Sequence, residues 1–214
     1  MARTGRFFVA ALLAWSTASA FDLTLDRRAI DDAIAIGHSR LDAERVRFHR
    51  PYRVIVGRAP VDYVDVVTPF RRIEIEAETK ARAGNRTLGQ REALALLDAA
   101  PDQIDFFVEL TFHPFNTFIG VPSYGIRLVK QGDTALLEPR SIDLFPRYGP
   151  RVEGLPITQP AAPALPKRTE SLSGGTTVAH YDARALDQQG VYELVVSEAG
   201  KELGRARIDL RALR

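Results

Sequence analysis

From Ile104 onward the apolar residues recur every second position. Ile104, Phe106, Val108, Leu110 and Phe112 fall on one side, and Asp105, Phe107, Glu109, Thr111 and His113 on the other. Successive side chains of an extended strand point to opposite faces, so this segment reads as a strand with one dry face and one wet one. A strand of this kind needs partners and a second layer to cover its dry face. The next segments supply candidates. Tyr124 to Val129 reads as a second strand, Gln131-Gly132-Asp133 as a turn and Thr134 to Phe145 as a third strand, together a β-meander.

Upstream, Arg53 to Val56 and Tyr63 to Val67 are β-branched runs separated by Gly57 and Pro60, and read as two more strands. Helical spacing governs the rest of the N-terminal part. Ile30, Ala33, Ile34, Gly37 and Leu41 predict one amphipathic helix over 27–49, capped by Asp26 and closed by Pro51. Thr68-Pro69 starts a helix over 69–83 that carries Glu76–Lys80 and Glu78–Arg82 at i,i+4, although Ile73 to Glu76 also alternates like a strand. Thr87 and Gln90 form a capping box for a helix over 88–99.

Six of the 13 prolines lie within 146–166, which predicts a linker or a stiff surface crossing over 146–167. Beyond it, Thr176 to Tyr181, Val191 to Ser197 and Leu203 to Leu210 read as strands, the last two joined at Ala199-Gly200-Lys201. The segment Leu186 to Tyr192 resembles the corner before the penultimate strand of immunoglobulin-like sandwiches. In that fold a tyrosine hydroxyl bonds back to the chain a few residues upstream, a role that here falls to Tyr192. The expected fold class is therefore α+β. It is an antiparallel β-sandwich with immunoglobulin-like C-terminal strands and two to three helices packed on one side or end. Residues 21–145 form the helix-containing β domain. Residues 168–214 either complete the same sandwich or stand as a small lobe.

The first twenty residues have another role. Arg3 and Arg6, an apolar run from Phe7 to Trp15, and Ala18-Ser19-Ala20 are the three parts of a secretory signal peptide. Cleavage after Ala20 is expected, leaving the mature protein in the periplasm or outside the cell. The apolar run is short for a membrane span, no later segment reads as one, and no Cys follows that could carry a lipid anchor. The chain has 29 Lys+Arg and 27 Asp+Glu. Loss of Arg3 and Arg6 balances the mature charges, so the basic composition is no argument for nucleic-acid binding. Absence of Cys removes thiol catalysis, disulfides and Cys-based metal sites.

No cofactor motif is visible. Ser173-Gly174-Gly175-Thr176 lacks the Lys and the following helix of a phosphate loop. Asn85-Arg86-Thr87 is a glycosylation sequon, equally explained by Thr87 as a cap. His38 and His49, on one helix, would lie about 16 Å apart. Two function classes stay open. One is an exported non-catalytic binding protein whose partner is another exported or envelope protein. Its contact residues are Phe115, Asn116, Phe118, His113 and Tyr124, in and beside the loop 113–123, where aromatics can anchor in a partner. The competing fate of Phe115 and Phe118 is to plug the end of the core. The other class is a hydrolase assembled across strands around Glu109 and His113. These two lie roughly 13 Å apart along one strand, so each needs partners from elsewhere, such as Ser123 or Arg127.

Overall fold

The computed structural model describes residues 21–150 and 170–214. The signal segment 1–20 and most of the expected linker, 151–167, lie outside the described residues. The described chain is α+β, with four helices and two antiparallel sheets.

Helix α1 (Arg27–Gly37) starts where Asp26 accepts a hydrogen bond from the Ala29 N–H at 2.7 Å. It ends at Gly37, so the expected helix over 27–49 is two. Helix α2 (Asp42–His49) begins after an extended Leu41. Ser39 makes the break. Its hydroxyl accepts from the Leu41 N–H and donates to Glu44, and its carbonyl accepts from Arg45. A serine that satisfies nearby backbone in this way competes with helix continuation. Leu41, expected on the apolar stripe, is 67% exposed, and His38 and His49 do not share a helix.

Helix α3 (Pro69–Arg82) forms as expected, with Thr68 accepting from the Arg71 N–H and Pro69 in the first turn. The strand alternative for 73–76 fails because Ile73 and Glu74, adjacent in sequence, are both fully buried. Helix α4 (Gln90–Ala99) starts later than expected. The Thr87 hydroxyl is turned back to Asn85 Oδ1 at 2.7 Å, and the helix is capped at Gly89, whose N–H is satisfied by Glu92 at 3.0 Å. Ile30, Ala33, Phe70, Ile73, Ala77, Leu88 and Ala93 make a separate apolar cluster between these helices. Among the described residues no helix is long and apolar enough to cross a membrane.

The first sheet runs β1-β2-β3-β7-β6 and the second β5-β4-β8-β9. Strands β1 (Arg53–Arg58), β2 (Val61–Val67) and β3 (Gln103–Thr111) pair in succession. The alternation of β3 is as read: Ile104, Phe106, Val108 and Leu110 are buried. Asp105 is the exception on the outer face, buried because Arg72 of α3 covers it at 2.9 Å.

The expected meander does not form. After β3 the chain crosses to the other sheet, where β4 (Gly125–Lys130) pairs with β5 (Leu136–Leu137) and β8 (Val191–Glu198). The strand expected over 134–145 is divided between the sheets, since β6 (Ser141–Pro150) returns to the first one. Pro139 lies at the division, where the missing N–H does no harm to a ladder. Strand β6 is an edge, the position in a sheet that tolerates Pro146 and Pro150. Residues 146–150 are thus strand and not linker.

Strand β7 (Glu170–Asp182) lies between β3 and β6. Gly174 and Gly175 sit inside it, where a Cβ at Gly174 would lie 2.2 Å from the Leu110 carbonyl. These glycines serve close strand approach. Strands β8 and β9 (Lys201–Asp209) form a hairpin whose turn residues Ala199 and Gly200 both have positive φ, the requirement of a type I′ turn. One apolar core joins the two sheets, with Val64, Phe106, Val108 and Ala179 from the first and Ile126, Leu128, Leu194 and Ile208 from the second. The buried Tyr181 hydroxyl donates to the Ile126 carbonyl at 2.9 Å, tying β7 to β4. At the C-terminal corner the Tyr192 hydroxyl accepts from the Asp187 N–H at 2.6 Å.

Candidate functional site

The crossing from β3 to β4 carries the aromatic loop. Phe112 and Tyr124, at its two ends, are core residues. Between them the backbone is held by Asn116. Its amide nitrogen donates to the carbonyls of His113 and Leu172, each at 2.8 Å, and its oxygen accepts from the Phe118 N–H at 3.0 Å. His113 Nδ1 accepts from the Phe115 N–H at 3.2 Å. Phe115 is 65% exposed and Phe118 42%, the latter with its ring edge against Phe112. Ile119 is 94% exposed; sequence reading missed it, although it lies between Pro114 and Pro122 of the same loop. Tyr124 offers almost no surface, and burial pushes its hydroxyl pKa up to about 12. Asn116 acts as the brace of the loop.

Glu109 and His113 do not meet. Glu109 accepts from Arg147 of β6, two strands away, and at 2.7 Å from the Thr176 hydroxyl of the adjacent β7. Arg127 is paired with Glu138 at 2.7 Å on the other sheet. Among the described residues no carboxylate bonds His113.

The outer face of the first sheet holds a different histidine. His180 Nδ1 lies 2.7 Å from Asp105 Oδ1 and its Nε2 3.2 Å from Asp143 Oδ2. Arg72 and Gln103 complete the shell of Asp105. The residues come from β3, β7, β6 and α3, which sequence spacing could not bring together. Both ring nitrogens face carboxylates and no hydroxyl among the described residues bonds the ring, so the group clasps α3 to the sheet.

A third constellation lies where α2 meets α3. Phe70, Ile73, Ala77 and their neighbours form the buried stripe of α3, and Glu74 and Glu78 stand in that stripe one turn apart. His49, the last residue of α2, places Nε2 at 3.3 Å from Glu74 Oε1 and 3.0 Å from Glu78 Oε2. Glu74 is fully buried. Neither of its oxygens has a hydrogen-bond partner of good geometry, and His49 Nδ1 is likewise unpartnered.

The close approach of Glu74, opposed by burial, raises the His49 pKa, and the bond to Glu78 adds to the rise. Burial alone would raise Glu78; the bond from His49 and the charge of Arg82 outweigh it and lower the carboxyl. Glu78 Oε1 takes Arg45 Nε at 3.0 Å and Arg82 at 2.6 Å. A cleft of about 670 Å³ opens beside the cluster, lined by Val46, His49, Arg50, Arg53, Arg71 and Glu78 among others. A carboxylate pair inside an apolar helical stripe was visible in the sequence; its histidine was not, because the break at Ser39 sets the direction of α2. In comparisons with models of known families, with characterised proteins and with solved structures, nothing matches this chain.

Proposed function

We propose that the protein is an exported, non-catalytic binding module that meets another exported or envelope protein through the loop 113–123. The observation that carries this reading is the exposure of Phe115, Phe118 and Ile119 on a loop whose backbone is braced internally by Asn116. Large apolar side chains on a pre-shaped loop can enter a partner's pocket with little loss of conformational entropy. Export is read from the signal-type segment 1–20. The immunoglobulin-like character of the C-terminal strands belongs to the same proposal and is supported by the Tyr192–Asp187 bond.

The test uses the mature protein with Phe115→Ala and Ile119→Ala, each with a photo-crosslinker at Thr117. Stability is expected to stay within about 0.5 kcal/mol, as at ordinary surface sites, while cross-linking to a discrete envelope protein is lost. A stability loss of roughly 3 kcal/mol, typical of buried Phe truncation, or cross-linking indifferent to both changes, overturns the proposal. N-terminal sequencing of exported protein should begin at Phe21; Met1 or Ala2 would refute export with cleavage.

A further inference from the structure

We infer that His49, Glu74 and Glu78 form a binding site for a divalent first-row transition cation, with zinc the best fit. The donor atoms of the three side chains all lie within 4.8 Å of one another. Two of the separations, 3.0 and 3.3 Å, lie close to those of neighbouring ligands in a zinc shell, because ligands held at roughly 2.0–2.2 Å from a common tetrahedral centre stand about 3.3–3.6 Å apart. One imidazole with two carboxylates suits zinc and its transition-metal neighbours better than magnesium or calcium, which prefer all-oxygen shells.

The second line of argument is the state of Glu74. A carboxylate removed from water is costly unless something pairs with it. Here both oxygens are buried without a hydrogen-bond partner. A protonated His49 is the competing occupant. It gives Glu74 a single contact at 3.3 Å and leaves Oε2 bare, whereas a cation can take either oxygen or both.

The third is the support around Glu78. Arg45 and Arg82 both hold Oε1, which turns Oε2 toward His49 and fixes the carboxylate plane. Hydrogen bonds to the far oxygen of a ligating carboxylate are the usual outer support of a metal site. Arg71 also lies near Glu74, and the three guanidinium groups lower affinity for a cation without taking the atoms that would bind it. Three protein ligands leave a fourth position, and the cleft beside His49 gives water or an anionic group access to it.

The experiment uses untagged mature protein freed of metal by chelator and dialysis, titrated with zinc chloride by calorimetry and with cobalt chloride by visible spectroscopy. One equivalent of zinc should bind, and at 100-fold over Kd should raise Tm by about 5–10 °C for a chain of this size. Cobalt should give bands of a low-symmetry four- or five-coordinate N/O site. His49→Gln and Glu74→Gln should each weaken binding at least about 10-fold, as loss of one ligand or its support does. His49 lies at the cleft rim, so its variant tests the site even if Glu74→Gln fails to fold. Absence of a saturable equivalent, or binding unchanged in a folded His49→Gln protein, overturns the inference and leaves the cluster an imidazolium bridge between two glutamates.

Discussion

Gly37→Ala is the sharpest test of how the helices sit. Gly37 ends α1 against α3, and a Cβ built there would lie 2.4 Å from the Glu74 carbonyl oxygen, 2.6 Å from Ala77 Cβ and 2.8 Å from the Glu78 nitrogen. Ordinary contacts begin near 3.4 Å, so the worst overlap is about 1 Å. Two of the three obstacles are backbone atoms of a packed helix and cannot rotate away. The helices must separate, and overpacking of this kind costs about 1–3 kcal/mol. Alanine returns up to roughly 1 kcal/mol of helix propensity, less at a helix end. The net expectation is a loss of about 1–2 kcal/mol, equivalent to a Tm lower by roughly 2–8 °C. Trp15 is the only tryptophan and lies in the expected signal segment, so urea unfolding of the mature protein is best followed by circular dichroism. Gly120→Ala is the control, since nothing lies within 4 Å of a Cβ there; it should stay within about 0.5 kcal/mol. A Gly37→Ala protein as stable as the parent, or more so, would falsify the close crossing of α1 and α3.

Two further outcomes follow from hydroxyl groups. Tyr192→Phe removes the acceptor of the Asp187 N–H and should cost about 1 kcal/mol, the net worth of one such bond; an unchanged urea midpoint would show the corner to be idle. Burial raises the Tyr124 pKa to about 12 and pushes Tyr181 up as well. Both hydroxyls stay neutral in the fold while an unfolded tyrosine ionises near pH 10. Their contribution is therefore whole below about pH 10 and is lost as pH rises toward 12. Tyr124→Phe should flatten the fall in urea midpoint between about pH 10 and pH 12, and a fall as steep as the parent's would count against this assignment.

The core faces of the strands were legible because each has one dry side. Ile104, Phe106, Val108 and Leu110 announce their sheet, as do Ala206 and Ile208 in β9. Sequence could not show that the chain changes sheets after Thr111. A thirteen-residue connection over 112–124 permits a hairpin or a crossing, and the choice rests on which strands arrive later from beyond residue 170. The break of the first helix hinged on Ser39, whose hydrogen bonds to Leu41 and Glu44 are local but outweigh an apolar stripe only when Leu41 has nothing to pack on. Phe115 and Phe118 stood out in the sequence as aromatics in a loop. Glu74 was not singled out, though an acid among Phe70, Ile73 and Ala77 is out of place on a buried stripe, and the reason for it lies on another helix.

The late strands also set the order in which the molecule can fold. Glu109 of β3 pairs with Thr176 of β7, and Gly125 of β4 pairs with Ser197 of β8. Each sheet is therefore missing an interior strand until the last quarter of the chain is present. Contacts so distant in sequence must close long loops before they gain anything, which slows folding. A chain threaded through a translocation channel with its N-terminus leading has α1 to α4 and β1 to β4 on the far side, with apolar strand edges bare, while β7 to β9 are still in transit. On the proposed route of export this delay keeps the chain unfolded on the cytoplasmic side, where a prematurely closed sandwich would block passage. It also exposes the emerged half to aggregation, so release of folded protein should be timed by the arrival of β9.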